Sequence, residues 1–258
     1  MTSIGLSQLL ADAPKLLPTY LERTSHLTHV TKGIRRSEMF FLYAAVAVAK
    51  PKRILESGRA RAQSTLVLSL LFPDVPTISI ESDAASADVP IAAERLKERA
   101  NVECRFGDSR HLLPELLRVG DVVLIDGPKD FRAVKLALWL LRTGKPIAVF
   151  VHDLWLGSPA RDFVDRQLRE VFLSDAPEWV EQYSRLDRRT RAMPAVEAGC
   201  RIAYGATLGC FPPLSGNYAS RLLRCNVAER VERLQESARK FRGRPTRRRP
   251  VDFSAFGT

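Results

Sequence analysis

Five short β-rich runs, each followed by a carboxylate, constrain this chain more than any other feature. Arg53–Leu55, Thr77–Ile80, Val102–Phe106, Asp121–Ile125 and Ile147–Val151 are separated by segments with helical spacing. Short β-rich runs alternating with helices predict a doubly wound, mostly parallel sheet. Glu56, Glu81, Asp108, Asp126 and Asp153 fall at or just past the C-terminal ends of these runs. In an open α/β sheet that edge is where ligands bind. Acids gathered there repel one another unless a cation or a hydroxyl-rich ligand lies among them.

The flanking segments fill in the plan. Residues 3 to 23 have helical spacing interrupted by Pro14 and Pro18, which predicts short broken helices. Ser37–Ala49 reads as a buried helix capped by Ser37 and ended by Lys50-Pro51. Helices are predicted over Ser64–Leu71, over 90 to 99, over Phe131–Leu141 and over 160 to 172. Beyond them Trp179–Leu186 and Arg201–Leu208 read as two strands forming an antiparallel pair at the sheet edge. Residues 219 to 241 form a late helix with Leu223, Val227, Val231, Leu234, Ala238 and Phe241 on one stripe, which packs on the body or on a second subunit and leaves a homodimer open.

Composition narrows the classes. The net charge of +11 includes seven positive residues and no acid between Arg239 and Arg249, so the rest of the chain carries only +4. A basic, Pro/Gly-interrupted tail is read as solvated, disordered chain, with nucleic acid as the alternative partner. No aromatic ladder accompanies its arginines, which counts against single-strand stacking. Cys104, Cys200, Cys210 and Cys225 have no metal-ligand spacing and read as free thiols. His26 and His29 lack a third ligand nearby and read as surface or capping residues. With no signal peptide and no apolar run of about 18 residues, the expected setting is cytoplasmic, away from membranes.

The stretch KRILESGRARAQSTL, Lys52 to Leu66, gives strand, acid, Gly-containing turn and helix start. That order brings backbone N–H groups and a helix N-terminus to a nucleotide-like ligand; it also describes an ordinary βα turn. Gly58-Arg59-Ala60-Arg61-Ala62-Gln63 fits the G-x-G-x-x-G dinucleotide loop poorly. From Thr31 to Trp155 the chain instead resembles the class I S-adenosylmethionine-dependent methyltransferases, and among them the metal-dependent O-methyltransferases of the catechol and macrolide-sugar kinds. ILESGRARAQST is similar to their I-L-E-x-G-x-x-x-G-x-S-T cofactor loop, with Ala62 at a usual glycine and Ala60 at a common one. LIDGPKD resembles their I-D-x-x-K segment, and VHD at 151 to 153 their paired ligands after strand five.

The resemblance implies a Rossmann-like core and a set of roles. Glu56, Gly58, Ala62, Gln63, Ser64, Glu81, Asp108, Ser109 and Asp126 would bind S-adenosylmethionine, with Glu81 on the ribose hydroxyls and Asp108-Ser109 at the adenine. Asp126, His152 and Asp153 would hold a divalent cation, Mg²⁺ or, given the histidine, Mn²⁺. Lys129 would be the general base, its pKa lowered by the ion. The implied reaction is metal-assisted methyl transfer to a hydroxyl of a small polyhydroxylated or phenolic acceptor. The alternatives are a non-catalytic binding protein on this fold and a nucleic-acid methyltransferase using the Arg-rich tail. The expected layout is an N-terminal helical extension over 1–50, a Rossmann-like core with the antiparallel edge pair over 51–215, a C-terminal helix over 216–241 and the basic tail over 242–258.

Overall fold

A computed structural model of the chain describes residues 4–29, 33–187 and 207–241. Seven strands form one sheet in the order β3-β2-β1-β4-β5-β7-β6. These are β1 (Arg53–Ser57), β2 (Thr77–Glu81), β3 (Val102–Phe106), β4 (Asp121–Ile125), β5 (Ala148–Val151), β6 (Phe172–Leu173) and β7 (Gly209–Phe211). Strands β1 to β5 pair in parallel, and β7 runs antiparallel to both β5 and β6. The central strands β4 and β5 are buried along their whole length, whereas β3 at the edge is largely exposed. Continuous apolar runs suit strands covered on both faces.

The period-two alternation divides the core. Ile54, Val122, Leu124, Ala148 and Phe150 face helices α1 (Leu6–Thr24), α2 (Arg36–Val46) and α3 (Gln63–Leu71). Leu55, Val123, Ile125, Val149 and Val151 face α6 (Asp130–Arg142) and its neighbours. The other helices are α4 (Asp88–Leu96), α5 (Ser109–Leu116), α7 (Pro159–Gln167), α8 (Pro177–Tyr183) and α9 (Tyr218–Phe241). Among the described residues no helix is long and apolar enough to cross a membrane.

The structure corrects several expectations. Residues 6 to 24 form one helix, not broken pieces. Pro14 and Pro18 lie on its exposed side, where the carbonyls freed by the missing N–H groups meet water, while Leu9, Ala13 and Tyr20 anchor the other side. Helix α2 starts one residue earlier than Ser37 and ends at Val46, with Arg35 at the N-cap. Ser37 instead donates its hydroxyl to Asp187 Oδ2 at 2.6 Å and its N–H to Asp187 Oδ1 at 3.1 Å. Trp179–Leu186 is not a strand but α8 followed by a 3-10 turn, Ser184–Asp187. Trp179 and Tyr183, four residues apart, are both buried, and Pro177 starts the helix. Most of Arg201–Leu208 lies outside the described residues, and the strand that pairs with β5 is the next one along, β7. The helix expected over 160 to 172 stops at Gln167, and its last residue belongs to β6. Helix α5 was not anticipated, although Asp108 caps it by accepting Arg110 N–H at 2.9 Å.

Candidate functional site

Register assembles the site. Ser57 pairs with Ile80 on one side and Ile125 on the other, and Ile125 pairs with Val151. The next residues, Gly58, Glu81, Asp126 and His152, therefore emerge side by side at the C-terminal edge. Gly58 allows the closest approach. Its φ is +85°, and a Cβ there would lie 2.9 Å from the Asp126 carbonyl carbon and 3.0 Å from Gly127 N. Only glycine fits both the conformation and the space. The Gly127 carbonyl then accepts the hydroxyls of Ser57 at 2.5 Å and Ser109 at 3.1 Å, tying the ends of β1 and β4 to the start of α5.

The loop after Gly58 keeps glycine-like backbone without glycines. Ala60 has φ +42° and Ala62 φ +58°, the left-handed region that costs an alanine about 1 kcal/mol or more. The Ala62 methyl is fully buried against Ala92 and Leu96. It turns away from the ligand edge, so it does not narrow the approach there. Gly58, Gln63, Ser64 and Asp126 share a cleft with Gly33, Ile34 and Ala60. The cleft measures about 10 Å³, room for about one water.

The carboxylates on this side are each held by local donors. Glu81 Oε2 accepts Ala60 N–H at 2.9 Å, and Oε1 accepts the N–H groups of Ser82 at 2.8 Å and Asp83 at 3.3 Å. Glu56 is fully buried, and its Oε2 accepts the hydroxyls of Thr65 and of Ser79, the latter at 2.6 Å. Burial pushes the Glu56 carboxyl up, against the hydroxyls of Ser64, Ser79 and Thr65. Asp108 turns outward to Arg110, whose guanidinium holds it at about 2. Arg59, which the sequence did not single out, is buried with its guanidinium 4.8 Å over the Phe106 ring.

On the β4–β5 side the charges meet directly. His152 Nδ1 lies 2.8 Å from Asp126 Oδ1 and 3.3 Å from Asp153 Oδ1. Asp153 has φ +62°, a conformation aspartate tolerates better than most residues. Lys129 Nζ contacts Asp126 Oδ1 at 2.5 Å and also Asp153 Oδ2. One ligand atom from each of Asp126, His152 and Asp153 lies within 4.8 Å of the others. A nitrogen and two carboxylate oxygens this close fit a divalent ion, once the partly exposed Lys129 side chain swings out.

Without an ion the charges on this side support one another. Burial would lower the pKa of Lys129, but Asp126 and Asp153 outweigh it and hold the ammonium above its usual range. The same competition holds for His152, which three carboxylates (Asp126, Asp153 and Glu38) raise well above an ordinary imidazole against the effect of burial. For Asp126 burial works upward, and His152 and Lys129 overcome it and lower the carboxyl. Glu38, on α2, was missed from the sequence. Its signal was a single acid inside the apolar run SEMFFLYAAVAVA.

The class defined by this architecture is a doubly wound α/β sheet with one reversed strand near its far edge and charged residues gathered at the strand ends. No family model matches the chain, and no curated protein matches it. Solved structures similar to it include the O-methyltransferase TomG from Streptomyces achromogenes, involved in tomaymycin synthesis and in complex with SAM. The two are 19% identical over 81% of this chain and 90% of that one, with TM-score 0.46. An O-methyltransferase from Bacillus cereus in complex with SAH is 16% identical over 78% and 90%, with TM-score 0.42. SAH-bound PaMTH1, a methyltransferase from Podospora anserina, is 13% identical over 82% and 90%, with TM-score 0.43. At these identities and scores the likeness adds nothing to the strand order already described.

Proposed function

We propose that the chain is an S-adenosylmethionine-dependent methyltransferase acting on a hydroxyl of a small polyhydroxylated or phenolic acceptor, assisted by a divalent ion. The observation that carries this reading is the shared edge: the Gly58 loop and the Asp126–His152–Asp153 cluster meet at Asp126. In this reading residues 51–215 are the methyltransferase core, 1–50 and 216–241 its helical extensions and 242–258 a basic tail.

The chain's own residues then divide the work. Gly58 lets the loop lie against the end of β4, which places the first turn of α3 over the cleft. Glu81, fixed by three backbone N–H groups, keeps a lone pair on Oε2 for a ribose hydroxyl. Gln63 and Ser64 line the loop side of the cleft, and Ser109 opens α5 beside it. S-adenosylmethionine, when bound, would supply its sulfonium methyl to the acceptor oxygen, with S-adenosylhomocysteine as the leaving group. A divalent ion on Asp126, His152 and Asp153 would acidify the acceptor hydroxyl and neutralise the carboxylates that now hold Lys129 protonated. Released from those ion pairs and from the charges that keep it protonated, Lys129 Nζ would take the hydroxyl proton, its tether on the loop before α6 holding it near the site.

Isothermal titration of the full-length chain with S-adenosylmethionine and S-adenosylhomocysteine tests the reading. It predicts saturable heat with one site per chain and a rise in Tm with ligand concentration. Absence of both heat and thermal shift would remove it.

A further inference from the structure

Glu38 has no part in the reading above, and its surroundings are unusual for an acid. It is fully buried on α2, where the eight residues after it, Met39 to Val46, are apolar or aromatic and also buried. A buried carboxylate is retained only where something holds or uses its charge. Its Oε2 accepts Arg35 N–H at 3.0 Å, and its Oε1 has no hydrogen-bond partner among the described residues. The group facing it is His152, whose Nε2 lies 3.4 Å from Glu38 Oε2 and also lacks a hydrogen bond. The imidazole thus stands between one buried carboxylate at Nε2 and the Asp126–Asp153 pair at Nδ1.

That line of carboxylate, imidazole and ligand cluster has a known physical use. A metal-binding histidine gives its far N–H to a carboxylate, which fixes which nitrogen faces the ion and how the ring is turned. The N-terminal end of α2 is placed for this by Ser37, bonded to Asp187 through both its N–H and its hydroxyl. We propose that Glu38 is a positioning residue that holds Nε2 of His152 and presents Nδ1 to the Asp126–Asp153 pair. The site thereby offers nitrogen plus two carboxylates and favours Mn²⁺ over Mg²⁺. This inference rests on the metal-assisted reading. Imidazole suits transition ions, and Mg²⁺ prefers oxygen.

The test is Mn²⁺ titration of the full-length protein by electron paramagnetic resonance, with pulsed detection of ¹⁴N coupling. The expected result is bound Mn²⁺ with imidazole nitrogen coupling in the unaltered chain and loss of that coupling in His152→Ala. In Glu38→Ala, Mn²⁺ affinity should fall about 10–100-fold, with S-adenosylhomocysteine affinity kept. Glu38→Gln, whose carbonyl still accepts Nε2–H, should recover most of the loss. If Glu38→Ala does not fold, Glu38→Met, close to Gln in volume, replaces it in the comparison. Unchanged Mn²⁺ affinity and ¹⁴N coupling in Glu38→Ala or Glu38→Met would overturn the role of Glu38 alone. No Mn²⁺ binding by the unaltered chain, or coupling that survives in His152→Ala, would overturn it together with the ligand assignment beneath it.

Discussion

The β1–β2 side of the ligand edge and the β4–β5 side each carry two carboxylates, and they hold them by different means. Glu56 and Glu81 are bound by neutral dipoles, hydroxyls in one case and backbone N–H groups in the other. Asp126 and Asp153 are bound by charges, Lys129 and His152. Dipoles fix an acceptor in place and leave it able to take a further donor. Charges clustered at 2.5 to 3.3 Å can be exchanged for another cation. In the proposed reading the first side serves hydroxyl recognition and the second cation chemistry. The contrast also shows that the acids do not form one repelling rim, because each has local partners.

The largest effect should come where the two sides touch. Gly58→Ala adds a Cβ against the Asp126 and Gly127 backbone at φ +85°, combining left-handed strain with overpacking, about 3 kcal/mol in all. Urea unfolding should show that loss, with cofactor and ion binding weakened together. A midpoint equal to the unaltered chain would mean the sides are not joined there.

Next come the substitutions that separate them. Asp153→Asn should lower Mn²⁺ affinity at least about tenfold and leave S-adenosylhomocysteine affinity unchanged by calorimetry. Glu81→Ala should do the reverse, weakening S-adenosylhomocysteine by about 1.5 kcal/mol or more through the lost charged acceptor. Either variant affecting both ligands equally would break the division.

How far the sequence foretold this differs between the halves in the same way. The strands β1 to β5 and the positions of Gly58, Glu81, Asp126, His152 and Asp153 were legible, because the buried strands β1, β2, β4 and β5 give short apolar runs, the exposed β3 falls in the same alternation with helices, and the strand ends are marked by polar residues. The β6–β7 corner was not. β6 has two residues, too few for a period, and the Trp179–Tyr183 spacing of four was mistaken for a strand. Glu38 was hidden for another reason: its partner His152 is 114 residues away and meets it only through packing of α2 on the sheet. The orientation of the Ala62 methyl was also unreadable, since it depends on a positive φ.

Ala62→Gly should have a small net effect. Relief of about 1 kcal/mol of left-handed strain is offset by loss of a buried methyl worth about 0.8 kcal/mol. Thermal unfolding should move little, and cofactor affinity should stay the same because the methyl faces Ala92 and Leu96. Another small change lies outside both sides. Arg221, with Ser215, holds Glu170 at about 2, below its ordinary 4.5. The unfolded chain therefore takes up the proton first as pH falls, and the pair's contribution, full above about 4.5, disappears toward pH 2. The pair is partly exposed, so Glu170→Gln should remove only about 0.5 kcal/mol of that acid dependence in unfolding followed from pH 5 to 2.5.

A crystal structure of the full-length chain grown with S-adenosylhomocysteine and Mn²⁺ addresses both sides at once. The account predicts the nucleoside along the Gly58 loop with its ribose on Glu81, and manganese on Asp126, His152 and Asp153 with Lys129 displaced. An empty loop, with Lys129 still bridging the two aspartates at saturating Mn²⁺, would contradict it.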